Sequence, residues 1–335
     1  MPRTARLDTA GALHHVIIRG LERRNIFRDD HDRDNFVERL AHLLPETKTI
    51  CYAWVFIPNH AHFLFRSGPL GIAALMKRLL TGYAVFFNHR HHRSGRLFQN
   101  RYKSIICQED TYFKELVRYI HLNPMRARII PPSDFNSYPY SGHSAIMGIR
   151  QRTWQDTSSV LHAFGNTPAM GRNKYAAFVK AGLDQGKRQD LAGGGLIRSY
   201  KGWMGIRNEK QLLKGDERIL GDSDFVSTIL TEANEVFERR FAMKQKGYTL
   251  DILAERIAAF YSVNPEDILT KGQRKVYVEA RDVLCHIAVH DLGISVTDLA
   301  RRFHMASSSI SYAVLRGKKI AEEKNITLME KKNIE

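Results

Sequence analysis

Trp54-Val-Phe-Ile-Pro-Asn-His-Ala-His-Phe-Leu-Phe65 is the stretch whose reading decides the fold. Apolar, β-branched and aromatic residues stand on both sides of Pro58-Asn59, which predicts two strands joined by a tight hairpin. In a strand, residues two apart share a face, so His60 and His62 aim their imidazoles at one point. Two convergent imidazoles suit a divalent metal. A histidine pair in an apolar strand also arises with no ligand role at all, so a second segment is needed to decide.

That segment is Val117-Arg-Tyr-Ile-His-Leu-Asn-Pro-Met-Arg-Ala127. Tyr112, Leu116, Tyr119, Ile120 and Asn123 recur at helical spacing, and Pro124 predicts a stop before it. Tyr119 and Asn123, four apart, fall on one helix face. A tyrosine can attack phosphorus, and an amide oxygen can complete a metal's shell. The plainer alternative is that Tyr119 is a half-buried packing residue and Asn123 a helix C-cap.

Working outward, the pattern predicts strand His14–Arg19, helix Asp32–Leu44, strand Ile50–Ile57, strand Ala61–Arg66, helix Ile72–Asn88, strand Tyr102–Cys107 and helix Glu109–Leu122. Helices interleaved with strands, one hairpin among them, indicate an α+β fold: an antiparallel sheet with packed helices, followed by an all-helical C-terminal region. The expected domains are 1–145, 146–245 (a helical connector) and 246–335. Gly193-Gly-Gly195 is the expected linker.

The chain of 335 residues carries a net charge of +16, and its pI is near 9.8. A polyanionic partner is expected. A membrane-surface role could also use such charge, but no apolar run is long enough to span a bilayer and no signal peptide is recognised, so no membrane partner and a cytoplasmic, nucleoid-associated place are expected. Cys51, Cys107 and Cys285 are isolated and odd in number, which argues for reduced thiols and against a disulfide framework or zinc knuckle.

Arg90, Arg93, Arg96, Arg101 and Lys103 have no acidic residue among them, and Phe98 and Tyr102 interleave. Cations tracking phosphates and aromatics stacking bases suit unpaired DNA. The alternative is a solvated basic loop with its aromatics turned inward. Arg3, Arg6, Arg19, Arg23 and Arg24 form a second basic cluster near the first strand; the resemblance described below implies hairpin DNA as its partner. The run His89, His91, His92 reads as a polar helix end. Near the C-terminus, Val296–Phe303 and Ser307–Arg316 flank a short turn at His304–Ala306, the spacing of a helix-turn-helix. Its second helix is the expected duplex reader, with Ser307 as N-cap and Ser307, Ser308, Ser309, Tyr312 and Arg316 toward DNA; a plain helical hairpin is the alternative.

The two histidine and tyrosine segments, with Leu13-His-His-Val-Ile-Ile-Arg-Gly20, Arg23-Arg-Asn-Ile-Phe27 and Arg93-Ser-Gly-Arg-Leu-Phe-Gln-Asn-Arg-Tyr-Lys-Ser104, resemble the one-tyrosine HUH endonucleases. Within them the resemblance is to the REP-associated tyrosine transposases, over about the first half of the chain. It implies a ferredoxin-like or RRM-like sheet with the metal site on one face. It also implies Mg²⁺ or Mn²⁺ on His60 and His62, Asn123 as third ligand, and Tyr119 attacking a DNA phosphate. The activity implied is single-strand cleavage and strand transfer on hairpin-forming repeats, through a 5′-phosphotyrosine, by a monomer or homodimer acting on hairpin DNA and flanking duplex. Tyr112 lies ~10 Å along the helix from Tyr119, too far to share one metal. Lys271–Arg281 with the following helix pair resembles the duplex-binding domain of the replication initiator DnaA. However, His304-Met-Ala-Ser-Ser-Ser309 stands where that family reads its bases, so its sequence specificity is not expected here. Two other readings remain: a DNA-binding regulator with a silent catalytic domain, and a metallohydrolase, which lacks a water-activating carboxylate beside the motif.

Overall fold

The computed structural model describes residues 7–185, 188, 191, 216–270, 272 and 274–326. Arg3, Arg6 and the Gly193–Gly195 linker lie outside the described residues. The chain divides into two compact units, Met1–Leu230 and Thr231–Glu335.

The first unit begins β1 (Leu13–Arg19), α1 (Asp30–Thr47), β2 (Ile50–Ile57), β3 (His60–Arg66), α2 (Gly71–Arg90), β4 (Lys103–Cys107) and α3 (Glu109–His121). Every expected element is present, with ends shifted by three residues at most. It continues through α4 (Asn123–Arg126), α5 (Gly142–Ile146), α6 (Thr157–Phe164), α7 (Pro168–Lys180) and the short strand β5 (Ile219–Leu220). The helix α8 (Ser223–Gln245) runs across the division between the units.

The sheet order is β2-β3-β1-β4-β5. The first four strands pair antiparallel throughout. A β-α-β-β-α-β chain in this order is the ferredoxin-like arrangement expected from the sequence. The sheet is mixed, however, because β5 pairs parallel to β4. Its two residues fall within the segment expected to be a helical connector, and two residues are too few to carry a legible alternation.

Period-two alternation separates the faces. Val16, Ile18, Trp54, Phe56, Ala61, Phe63 and Phe65 join α1 and α2 in one core. Leu13, Val55, Leu64 and Ile105 meet α3 on the other, where Val160, Leu161, Phe164, Tyr175, Val179 and Leu191 also pack. Thus residues well beyond the expected first domain cover the face that carries the histidines. A buried network fastens α3 to this covering layer. His121 Nδ1 and His143 Nδ1 lie 2.8 and 2.7 Å from the Tyr175 hydroxyl, and His143 Nε2 lies 2.9 Å from Asn136 Oδ1.

Asp8 caps α2, its carboxylate accepting from the Ile72 and Ala73 amides at 2.6 and 3.0 Å. This satisfies two of the donors left open at a helix start. Gly71 sits there at φ +74°, where a Cβ would collide with the Asp8 carboxylate.

The second unit contains α9 (Leu250–Tyr261), α10 (Pro265–Leu269), α11 (Lys275–His290), α12 (Val296–Arg302) and α13 (Ser307–Glu323). The helix pair expected at 296–316 is present, with His304 turning the chain at φ +51°. Ser307 is not the N-cap. Ala306 holds that position without a side-chain bond, and Ser307 is the first helical residue. Helices α11 and α13 approach so closely at Gly317 that a Cβ there would overlap the Asp282 carbonyl.

Candidate active site on the histidine face

β3 carries His60 and His62 with ring centroids 5.2 Å apart. Arg19 stands opposite His60 in the β1–β3 register, and Ile17 links His62 to Lys103 across the sheet. Directly opposite residues share a face, so Arg19 and Lys103, both exposed, rim the histidines. α3 lies over the same face. It brings Tyr119 against His62, centroids 5.9 Å apart, and against His15 at 5.8 Å.

Burial drives both candidate ligands to the neutral form. It pushes His60 down to about 4, helped by the Arg19 charge. His62 is held well below its ordinary value, first by burial and then by His15, His60 and Arg19. His60 Nδ1 donates to Asn59 Oδ1 at 2.6 Å, and His62 Nδ1 is engaged by His15 at 3.0 Å. Neither Nε2 has a hydrogen-bond partner among the described residues. Two neutral imidazoles with open Nε2 atoms fit a divalent cation.

Among the described residues no three His, Cys, Asp or Glu side chains converge as a metal cage. Asn123 is half-buried, and its Nδ2 donates to the Tyr119 carbonyl at 2.8 Å. That bond ties Asn123 to the last turn of α3, whose C-cap is Leu122, and among the described residues its Oδ1 accepts no hydrogen bond. The helix does not simply stop there. Asn123 opens the short α4, where Pro124 sits in a first turn that requires no N–H from it.

The other candidate residues divide. Arg23, Arg96 and Arg101 are exposed. Arg96, Phe98 and Arg101 line a groove of about 720 Å³ beside α2, with Lys77, Leu80 and Val85. Arg93 lies over the Phe87 ring at 5.7 Å. Tyr102 is buried in the core and Phe98 is half-buried against it, so the loop's aromatics turn inward. Arg90 is already committed: it pairs with Asp29 at 2.7 Å and with the fully buried Asp32 at 2.6 Å. His91 joins Asp32 at 2.9 Å. The loop has no acidic residue in sequence, but the start of α1 and its N-cap Asp29 bring two to it in space.

In the second unit Ser307, Ser308 and Ser309 are half-buried, and Tyr312 is exposed. Arg316 holds the buried Asp282 through two hydrogen bonds of 2.5 and 2.8 Å. That commits it to packing α13 on α11.

Two residues of the site were not selected from the sequence. His15 is fully buried beside His62; only its adjacency to His14 in an apolar strand marked it. Arg126 lies 5.7 Å from the Tyr119 ring centroid. Its Nε and Nη1 are buried without hydrogen-bond partners among the described residues.

Residues 9–123 match the family described as "Transposase IS200 like". That span ends on Asn123 and includes His60, His62 and Tyr119. A solved structure described as a REP-associated tyrosine transposase bound to a REP hairpin is also similar. It has 13% identity and a TM-score of 0.37, covering 47% of this chain and 98% of that one. No curated protein matches. Among the described residues no helix is long and apolar enough to cross a membrane.

Proposed function

We propose that this chain is a metal-dependent single-strand DNA endonuclease and strand transferase working through a 5′-phosphotyrosine on hairpin-forming repeat DNA. The observation that carries the reading is the meeting of Tyr119 with His62, beside His60, on one rimmed sheet face. The IS200-like match over the same residues supports it.

His60, His62 and Asn123 would hold Mg²⁺ or Mn²⁺, which would supply Lewis-acid polarisation at the scissile phosphate. Arg19 and Lys103 hold neighbouring phosphates on the rim of the face. Tyr119 Oη loses its proton to solvent and bonds to phosphorus while the P–O3′ bond breaks. The departing 3′ oxygen takes a proton, leaving a 3′-OH and a 5′-phosphotyrosine. The tyrosyl linkage is itself a phosphodiester, so an incoming 3′-OH reverses the step without an external energy source. Arg96 and Arg101 along the groove by α2 suit the unpaired strand. Tyr312 and the α12–α13 pair are assigned to flanking duplex.

The test is a denaturing gel of the protein incubated with labelled hairpin oligonucleotides and Mn²⁺. A DNA adduct that disappears in Tyr119→Phe is expected. An adduct that persists in Tyr119→Phe overturns the assignment. Hairpin binding without any adduct points instead to a regulator with a silent catalytic domain.

A further inference from the structure

His15 Nε2 lies 3.0 Å from His62 Nδ1, and His15 Nδ1 lies 3.0 Å from the Leu191 carbonyl oxygen. The two rings are nearly parallel, 25° apart with centroids at 5.3 Å. They are diagonal neighbours on one face, since His15 stands opposite Leu64 in the register. From this chain of contacts we infer that His15 is a positioning residue that holds His62 in the one tautomer able to bind a divalent ion.

A carbonyl oxygen only accepts, so His15 Nδ1 must carry the hydrogen. The ring is fully buried, and its two partners, a carbonyl oxygen and a second imidazole, offer no negative charge to support a second proton. His15 Nε2 therefore presents a lone pair. His62 Nδ1, facing that lone pair, must be the donor. This leaves the lone pair of His62 on Nε2, the atom that has no partner among the described residues. In the opposite tautomer two lone pairs would face each other in a buried site, at the cost of an unmade hydrogen bond. His60 needs no such relay, because Asn59 Oδ1 accepts directly from its Nδ1.

Leu191 lies 68 residues past the end of the IS200-like match, which closes at residue 123. The tautomer of a ligand on β3 is thus set by the covering layer that comes after α7. The inference rests on the metal reading of His60 and His62 and adds to it a residue on β1.

The experiment uses the full chain without DNA. Histidine ¹⁵N NMR of the metal-free protein reads the His62 tautomer, and calorimetry with MnCl₂ reads affinity. His15→Phe removes both ring nitrogens from a buried site while keeping an aromatic ring. It is expected to bring His62 partly into the Nε2–H form and to weaken Mn²⁺ binding about 10- to 100-fold. His15→Gln presents an amide oxygen to His62 and an amide N–H to Leu191, and is expected to restore both readings to within a few-fold. Folding of each variant is checked by its melting curve. If folded His15→Phe keeps the wild-type tautomer and affinity, the inference fails. It also fails if His15→Gln, folded, binds Mn²⁺ no better than His15→Phe. A wild-type chain that binds no Mn²⁺ removes the metal reading itself, which distinguishes that failure from the failure of the His15 relay.

Discussion

The Tyr119 and His62 rings meet edge to face, their planes 80° apart and their centroids 5.9 Å apart. One residue comes from a helix and the other from a strand 57 positions earlier, so the contact depends on how α3 docks on the sheet. Phe113, Leu116, Val117 and Ile120 bury that docking face. The nucleophile candidate is therefore placed by packing on the same helix that carries it.

His60→Ala and His62→Ala should each abolish cleavage while leaving hairpin binding largely intact. On the proposed function, hairpin affinity would come from phosphate contacts of rim cations such as Arg19 and Lys103, which neither substitution removes. Cleavage assays with and without EDTA, beside fluorescence anisotropy on the same hairpin, separate the two effects. Cleavage that survives EDTA contradicts the metal assignment.

Arg126→Met should slow covalent attachment by about 10-fold or more, the scale of losing one buried electrostatic donor at a reacting centre. The guanidinium lies over the Tyr119 ring with two donors unpartnered among the described residues, free to meet charge as it develops. Single-turnover adduct formation on a saturating hairpin measures this. A wild-type rate would assign Arg126 only its bond to the Gly182 carbonyl.

Arg90→Ala should lower the melting temperature by several degrees, because it strips the strongest partner from buried Asp32. The slope of hairpin affinity against salt should not change. Arg96→Ala and Arg101→Ala, both exposed, should do the reverse: each should reduce that slope by about 1 with little change in melting.

Acid should destabilise the first unit before any carboxylate is protonated. Burial holds His14 and His143 down to about 4, against 6.5 for an ordinary histidine. Below pH 6.5 the unfolded chain binds protons that the folded chain refuses. The stability they contribute is complete above that pH and is lost as pH falls toward 4. Melting temperatures should be flat from pH 7 to 8 and fall between pH 6.5 and 5, less steeply in His143→Gln. A melting temperature that rises on acidification would falsify this account.

Gly317→Ala should unfold or severely destabilise the second unit, since a methyl group at that position overlaps the α11 backbone at Asp282. Tyr312→Ala, on an exposed position of the same helix, should leave folding intact and weaken binding to duplex DNA. Circular dichroism melts and duplex anisotropy distinguish these outcomes. Unchanged duplex affinity in Tyr312→Ala would detach α13 from DNA reading.

The alternation around Pro58-Asn59 was enough to place both strands of the hairpin and to put His60 and His62 on one face, because strand periodicity is local. The helix carrying Tyr119 was legible for the same reason, and so were α12 and α13. Ser307 misled because N-cap preference is a propensity, and the turn at His304 places Ala306 at the boundary instead. Arg90 and Arg316 looked free because their carboxylate partners lie 58 and 34 residues away in sequence.

By itself, then, the sequence determined the features that neighbours along the chain dictate. These are the order of strands and helices, the shared face of the histidine pair, the tyrosine's place on a helix, and a strongly basic charge. Only the tertiary structure decided the features that need distant segments to meet. It brought Tyr119 to His62, placed His15 and the Leu191 carbonyl behind them, turned Tyr102 into the core and committed Arg90 to Asp32. The physical reason is that periodicity reports which side a residue faces. What waits on that side is set by packing between faces, and a buried polar atom takes whichever partner that packing supplies.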